Sequence, residues 1–262
     1  KDIGDKRVLT EGGEGTTPAL HGNTLVLVWD HNDESFIVAF DKRTGEELWR
    51  TTRDELDTWA TPIIVEHGGR AQVVTNGWSR LRSYDLETGE EIWYTTGLTP
   101  LTIPSPVAGD GMVYAMSGFN GAFLKAISLI DARGDITGTG AIAWSHNRDT
   151  PYVSSPLLYD GALYFTKYVH GILSVFDAKA GKAHYGPQRV TGLRNIMASP
   201  VGADGRVYIT GRDGTTVVIK HGKTYEVLAT NKLDDQFSAS MALVDDQIYM
   251  RGDSYLYCIA EG

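Results

Sequence analysis

The sequence predicts an all-β fold, a β-propeller with six recognisable four-stranded blades of about 44 residues, and three observations carry that prediction. A small residue followed by proline, or a close variant, opens a short apolar run six times: Thr17-Pro18, Thr61-Pro62, Ser105-Pro106, Ser155-Pro156, Ser199-Pro200 and the degenerate Ser240-Met241. The second residues of these pairs are separated by 44, 44, 50, 44 and 41 positions, a nearly constant period. Each copy sets runs rich in Val, Ile, Leu and Tyr around glycine-containing turns, and no long 3.6-residue apolar period survives between them, so almost no helix is expected.

The second copy shows the grammar of one sheet. Pro62–Val65 forms the first strand, and its proline suits an opening position, where a missing N–H costs least. Residues 71–75 follow the His67-Gly68-Gly69 turn, then come residues 81–85 and 91–95. Between the last two lies DLETGEE, whose Gly89 can take the positive φ of a tight hairpin. The first, fourth and fifth copies repeat this order. The third is longer because LIDARGDITGTGAIAW carries an insertion in its outer hairpin, expected to fall in a loop. The sixth stops after three strands. The blades are placed near residues 17–60, 61–104, 105–154, 155–198, 199–239 and 240–262 of one continuous domain, 1–262. Lys1 to Gly4 sits where the tail of a fourth strand belongs and would complete the sixth sheet of a closed ring. Its shortness favours the other arrangement, a larger ring with further blades upstream.

Composition narrows the function. Twenty-four basic and 33 acidic residues leave a formal charge of −9 with the basic residues scattered, which disfavours a nucleic-acid or anionic-membrane surface. The single cysteine, Cys258, lies in the apolar run YLYCIA; it allows no intrachain disulfide and no cysteine metal site, and is expected to be buried and inert. No apolar stretch reaches the length of a membrane helix and no signal peptide is present in the chain. The seven histidines, His21, His31, His67, His146, His170, His184 and His221, fall mostly in turns at unrelated spacing, as exposed or locally bonded groups do. The Gly-x-Ser-x-Gly, His-Glu-x-x-His and phosphate-cradling glycine motifs are all absent.

The turns AFDKRTGEELW (39–49), SYDLETGEEIW (83–93) and FDAKAGKAHY (176–185) resemble the repeat of pyrroloquinoline-quinone-like β-propellers, with a fainter echo in IKHGKTYEVL. The chain is similar to bacterial quinone-binding-like propeller repeat proteins, and also to the propeller lipoprotein of the outer-membrane β-barrel assembly machinery. The resemblance implies an exported protein, periplasmic or secreted, and, since longer members have eight blades, this chain resembles their last six. It implies a structural role for Asp41, Asp85, Asp131 and Asp177, which would bond turn N–H groups, and for Trp49, Trp93 and Trp144, whose rings would lie over the turn of an adjoining blade.

A quinone dehydrogenase of that kind would need pyrroloquinoline quinone, Ca²⁺ and an Asp base. A single cysteine rules out the vicinal pair many carry, and no clustered acidic loop offers calcium its oxygens. That enzyme stays as the alternative to a non-catalytic binding or scaffolding module with no cofactor. In a propeller the loops joining strands two and three, and those leading into strand one, open on one face. Here they carry Trp29, Asp30 and His31; Asp57 and Trp59; Asn76, Trp78 and Arg80; Phe119 and Asn120; Tyr152; Lys167, Tyr168 and His170; Arg194 and Asn195; Arg212 and Asp213; Arg251 and Asp253. Loop-borne aromatics with Arg and Asp are the material of interface hot spots, so this face is expected to bind a protein partner or a small polar ligand.

Overall fold

The computed structural model describes residues 2–4, 8 and 13–260. They contain strands and turns and no helix, and the chain divides into two compact units, residues 1–147 and 148–262.

In the first unit three sheets form in sequence. The first runs β1 (Ala19–His21), β2 (Thr24–Trp29), β3 (Phe36–Asp41) and β4 (Glu47–Thr52), each antiparallel to the next. The second runs β5 (Ile63–His67), β6 (Arg70–Asn76), β7 (Arg80–Asp85) and β8 (Glu91–Thr96). The third has β9 (Val107–Gly109), β10 (Met112–Ser117) and β11 (Phe123–Ser128); β12 (Gly134–Asp135) then intervenes before its outer strand β13 (Ile142–His146). The second unit repeats the pattern with β14 (Leu157–Tyr159), β15 (Ala162–Lys167), β16 (Ile172–Asp177) and β17 (Ala183–Arg189), then β18 (Val201–Ala203), β19 (Arg206–Thr210), β20 (Thr215–Lys220) and β21 (Val227–Lys232). Its last sheet has three strands among the described residues, β22 (Ala242–Val244), β23 (Gln247–Arg251) and β24 (Leu256–Ile259).

Local chemistry explains the hairpins. Asp110-Gly111, Asp160-Gly161 and Asp204-Gly205 all have positive φ at both residues, the two-residue turn whose twist matches that of the flanking strands. The outer hairpin is closed by an Asp carboxylate: Asp41 Oδ1 accepts the N–H of Arg43 at 2.8 Å and of Thr44 at 3.0 Å. Asp85 does the same for Glu87 and Thr88, both at 2.9 Å, and Asp177 for Ala180 at 2.7 Å. A register shift recurs at one point of the third-to-fourth strand pairing, at Ala39/Phe40, Ser83/Tyr84, Ala126/Ile127 and Val218/Ile219, and such bulges increase the local twist.

Within each unit, consecutive sheets pack face against face. Ile37 and Ala39 of β3 join Val26 and Val28 against Val73 and Tyr84 of the second sheet, while Phe36, Val38 and Phe40 point to the other side, the period-two alternation of a strand buried on both faces. Val74, Leu81 and Trp93 meet Val113, Ala115 and Ile127 of the third sheet. In the second unit Tyr164, Leu173 and Val175 meet Val207, Ile209, Val217 and Ile219, and Val201 and Tyr208 meet Met241 and Met250. Each fully buried aliphatic side chain contributes about 1.5–3 kcal/mol, and the central strands supply nearly all of them. This is β-propeller architecture, sheets following one another with inner faces apposed.

Three expectations need correction. The insertion in the third copy does more than loop out: Gly134 and Asp135 of β12 pair parallel with Trp93 and Tyr94, adding a fifth strand to the second sheet, because buried Ile136 anchors it in the apolar cluster between those sheets. Cys258 is exposed rather than buried; on the edge strand β24 its neighbour Tyr257 packs into the cluster with Phe237, and alternation turns the thiol outward. Asp2 to Gly4 is not a strand, since Asp2 Oδ1 takes the Gly4 N–H in a local turn and Ile3 packs against Phe36, Val38 and Phe40. Lys1, the remainder of that expected strand, lies outside the described residues.

Candidate recognition cleft

Many of the polar residues that the sequence places on one loop face are committed to holding loops together. In the first unit Asp30 is fully buried, bonded by Arg53 through Nε at 2.7 Å and Nη2 at 2.9 Å, and by Thr58 Oγ1 at 2.8 Å. Arg53 Nη1 also donates to Tyr84 OH at 2.7 Å. Asp57, likewise buried, accepts Asn32 Nδ2 at 3.0 and 2.9 Å, and buried His31 uses Nδ1 to accept the Asp33 N–H. Asn76 Nδ2 donates to Pro104 O at 2.7 Å, tying the second sheet to the segment leading into the third. Trp29 stacks on Phe36, Trp59 Nε1 donates to Gly13 O at 2.7 Å, and Trp78 is half-buried on the loop after β6.

Arg80 belongs to an ionic cluster on the same loops. It bonds Asp54 and lies over the Tyr94 ring, while Arg82 bonds Asp54, Glu91 and the fully buried side chain of Glu55. Burial pushes the Asp54 carboxyl up, and the charges of Arg82 and Arg80 outweigh that and hold it below its ordinary value. Glu55 Oε2 accepts the Ser79 N–H at 3.1 Å, and its carboxyl group rests over Gly77, where any Cβ would collide with it.

In the second unit Tyr152 meets Tyr168 edge to face, Lys167 pairs with Asp149 at 2.9 Å, and exposed His170 lends its carbonyl to Arg189. Arg251 is exposed and bonds the Gly252 carbonyl. Arg194, Asn195 and Arg212 are brought together around a cleft of about 940 Å³, with Gly192, Asp213, Lys232, Asp234, Asp235, Gln236, Asp253 and Ser254 completing its walls. Its lining comes from loops leading into β18 and β22 and from those joining β19 to β20 and β23 to β24, two of each expected kind.

The cleft wall is pre-set by paired charges. Arg212 forks onto Asp253 at 3.1 and 2.9 Å and reaches Ser238 Oγ at 2.6 Å. Asp213 accepts the Thr215 N–H and hydroxyl and lies 3.5 Å from Lys232 Nζ; burial raises its carboxyl, and these contacts outweigh burial to lower it. Asp235 accepts the N–H groups of Ser254 and Tyr255 and the Tyr257 hydroxyl, again with a net lowering against burial, so both acids are anions at neutral pH. The sequence reading missed Lys232, Asp234, Asp235 and Gln236, together with Arg53, Glu55 and Arg82 in the first unit. One signal was present: Glu55 and Asp235 stand six and five residues ahead of Thr61 and Ser240, each followed by a glycine in the next strand-two-to-three loop.

The docking residues occupy varied settings. Trp49 Nε1 donates to Leu86 O at 2.9 Å and its ring covers Gly89, in the outer turn of the next sheet. Trp93 is fully buried and donates to Gln72 Oε1 at 2.9 Å in its own sheet, while Trp144 contacts Tyr114. Asp131 is exposed in the inserted segment, where the Ser128 N–H closes the hairpin on the Ala141 carbonyl.

Repeated four-stranded sheets with Asp-closed outer turns and, at Trp49, a tryptophan over the neighbouring turn define a pyrroloquinoline-quinone-like propeller repeat protein. The chain belongs to the family described as outer membrane protein assembly factor BamB, which it matches over residues 33–261. Among solved structures it is similar to BamB from Moraxella catarrhalis, at 16% identity and a TM-score of 0.54, covering 90% of this chain and 79% of that one. The computationally designed Ika8 protein gives 15% identity and a TM-score of 0.68 over 94% of this chain and 70% of that one. Quinohemoprotein alcohol dehydrogenase from Comamonas testosteroni gives 14% and 0.60 over 84% of this chain, which spans only 43% of the dehydrogenase. At these identities the likeness is one of fold. No curated protein matches the chain in sequence.

Proposed function

We propose that this chain is a non-catalytic, extracytoplasmic binding or scaffolding propeller that holds a segment of a protein partner in the second-unit cleft. The observation carrying this reading is the cleft itself: two successive repeats contribute both kinds of loop to one polar hollow of about 940 Å³, toward the upper end of the range of ligand sites. The family's description as an assembly factor supports a protein partner and a location outside the cytoplasm, periplasmic or secreted. Among the described residues no helix is long and apolar enough to cross a membrane.

The reading includes no resident cofactor. Pyrroloquinoline quinone with Ca²⁺ would ask this cleft for converging oxygens and an aromatic floor. Three of its four carboxylates, Asp213, Asp235 and Asp253, are instead spent on Thr215, on backbone N–H groups and on Arg212, and no aromatic ring lines it. Adding quinone and Ca²⁺ to the purified chain is expected to leave its visible spectrum the sum of the parts.

The test of the binding role is selection of a displayed peptide library on the immobilised chain, with Asn195→Ala/Arg212→Ala as comparison. Peptides that bind the native chain and are lost on the double variant support the role. Selected peptides that bind both proteins equally overturn the assignment to this cleft.

A further inference from the structure

We infer that Asn120-Gly121 is a site of spontaneous covalent modification, at which the Asn120 amide is lost through a succinimide and the residue becomes aspartyl or isoaspartyl. Asparagine followed by glycine occurs at two places in the chain, 76–77 and 120–121, where the second strand gives way to the third in consecutive repeats. Glycine in that position favours the reaction, because no Cβ shields its nitrogen and its dihedrals turn freely. The two sites share this chemistry and differ in their surroundings.

In the second repeat both reacting groups are committed. Asn76 is fully buried and its Nδ2 donates to the Pro104 carbonyl at 2.7 Å, while the Gly77 N–H, the would-be nucleophile, donates to the Arg80 carbonyl at 2.8 Å. The Glu55 carboxyl group lies over Gly77 and accepts the Ser79 N–H at 3.1 Å, so the loop is braced from outside as well. Attack of Gly77 on Asn76 would have to break all of these contacts in the interior.

The third repeat has no such brace. Six residues ahead of Ser105, as Glu55 stands six ahead of Thr61, is Thr99, whose Oγ1 reaches no hydrogen-bond partner and whose methyl group lies 2.7 Å from where a Cβ on Gly121 would stand. Asn120 is exposed in the middle of the loop between β10 and β11, with φ at +52°, a left-handed conformation that asparagine adopts more readily than most residues. Among the described residues neither its side-chain amide nor the Gly121 N–H makes a hydrogen bond. The electrophilic carbon and the nitrogen that attacks it are therefore both free to approach.

Hydroxide or water removes the Gly121 amide proton, and the nitrogen attacks Asn120 Cγ. The N–Cγ bond forms, the Cγ–Nδ2 bond breaks, and Nδ2 departs as ammonia with the proton it gains. Water then opens the ring: at the side-chain carbonyl it restores the normal backbone with an aspartyl side chain, and at the main-chain carbonyl it leaves an isoaspartyl linkage. Nothing is oxidised or reduced, and water is the only co-reactant. Either product places a new negative charge in the loop, and the isoaspartyl form also lengthens its backbone by one methylene.

The experiment holds the purified, folded chain in mildly alkaline buffer over a series of days, digests each sample with trypsin at mildly acidic pH, and weighs the peptides. Cleavage after Arg and Lys separates the two sites into peptides 71–80 and 83–125, and Asn120 is the only side-chain amide in the second. Peptide 83–125 should gain the mass of an amide-to-acid conversion at least about tenfold faster than peptide 71–80, whose asparagine reacts only when the loop opens. In concentrated urea the two rates should converge, because the same dipeptide is then equally exposed at both sites. Equal rates in the folded chain, or a peptide 83–125 that keeps its amide, overturns the inference. A difference that persists in urea also overturns it, since the neighbouring sequence rather than the folded loop would then set the rate.

Discussion

The backbone N–H of Thr61 donates to Ser105 Oγ at 2.9 Å, joining two residues 44 positions apart at the same point of consecutive repeats. The same bond recurs from Thr17 to Thr61 at 3.2 Å, from Ser155 to Ser199 at 2.9 Å and from Ser199 to Ser240 at 2.9 Å. It explains the small-residue-proline pair: the hydroxyl receives the preceding repeat, and the proline holds the residue before it in extended backbone. The degenerate Ser240-Met241 pair keeps the half that makes the bond.

Ser105→Ala and Ser199→Ala should each lower stability by about 1 kcal/mol, the net worth of one such bond, with Ser→Thr at either position sparing most of it. The midpoint of urea unfolding at unchanged slope measures this. No movement of the midpoint in either variant would show the bonds to be incidental.

Arg53 and Asp30 form an ion pair with both side chains fully buried. Burial works against the guanidinium charge, and the attraction of Asp30 exceeds it, raising the Arg53 pKa, so the guanidinium keeps its charge. Arg53→Met leaves the buried Asp30 carboxylate without its countercharge, with only the Thr58 hydroxyl still donating to it, and should cost about 3–5 kcal/mol, while adding Asp30→Leu should recover much of that loss. A double-mutant cycle in urea decides; a double variant as unstable as the single one would contradict the account.

Asp85 is held below its ordinary 3.8: burial raises it, but the hydrogen bond from Arg70 and the N–H groups of Thr88 and Glu87 lower it further. A depressed carboxylate stabilises the fold fully above its unfolded pKa. That stability disappears as pH falls from 3.8 through the lower folded value, because the unfolded chain takes up the proton first. Asp213 carries a shift of the same sign. Unfolding midpoints should therefore drop steeply below pH 3.8, and Asp85→Asn should be less stable than native at neutral pH with a shallower acid slope. Parallel pH profiles for the two proteins would refute this.

Ile136 is 1% exposed, in the core shared by the second and third sheets, next to the strand that pairs with Trp93 and Tyr94. Ile136→Ala should cost about 2–5 kcal/mol, the range for a buried aliphatic truncation. It should also raise hydrogen exchange at the Ile136 N–H, which donates to Tyr94 O at 2.9 Å. Exchange unchanged from native would mean the inserted strand is held by something else.

Much of the fold was legible because its determinants are local. Residues 81–85 and 91–95 became Arg80–Asp85 and Glu91–Thr96, and the Asp-Thr-Gly turn closed as Asp41 and Asp85 required, since the atoms that decide these features lie within a few residues of one another. The candidate site was less legible. Asp30, His31, Asp57 and Asn76 read as a decorated loop face, yet all four are buried and bonded, because Arg53, Asn32, Ser35 and the Pro104 carbonyl reach them. A loop side chain turns inward or outward according to partners that sequence spacing does not display.

By itself the sequence determined the repeat, the strands, the turns and the hydroxyl at each strand-one opening, because periodic alternation and positive-φ glycine act over a few residues. Tertiary structure alone decided which charges neutralise one another, and so left Arg194 exposed at the wall of the cleft while Arg53 and Arg82 were drawn into the loops. The physical reason is that ion pairing depends on distance through space and on shelter from water, and both are set only when sheets some forty residues apart close face to face.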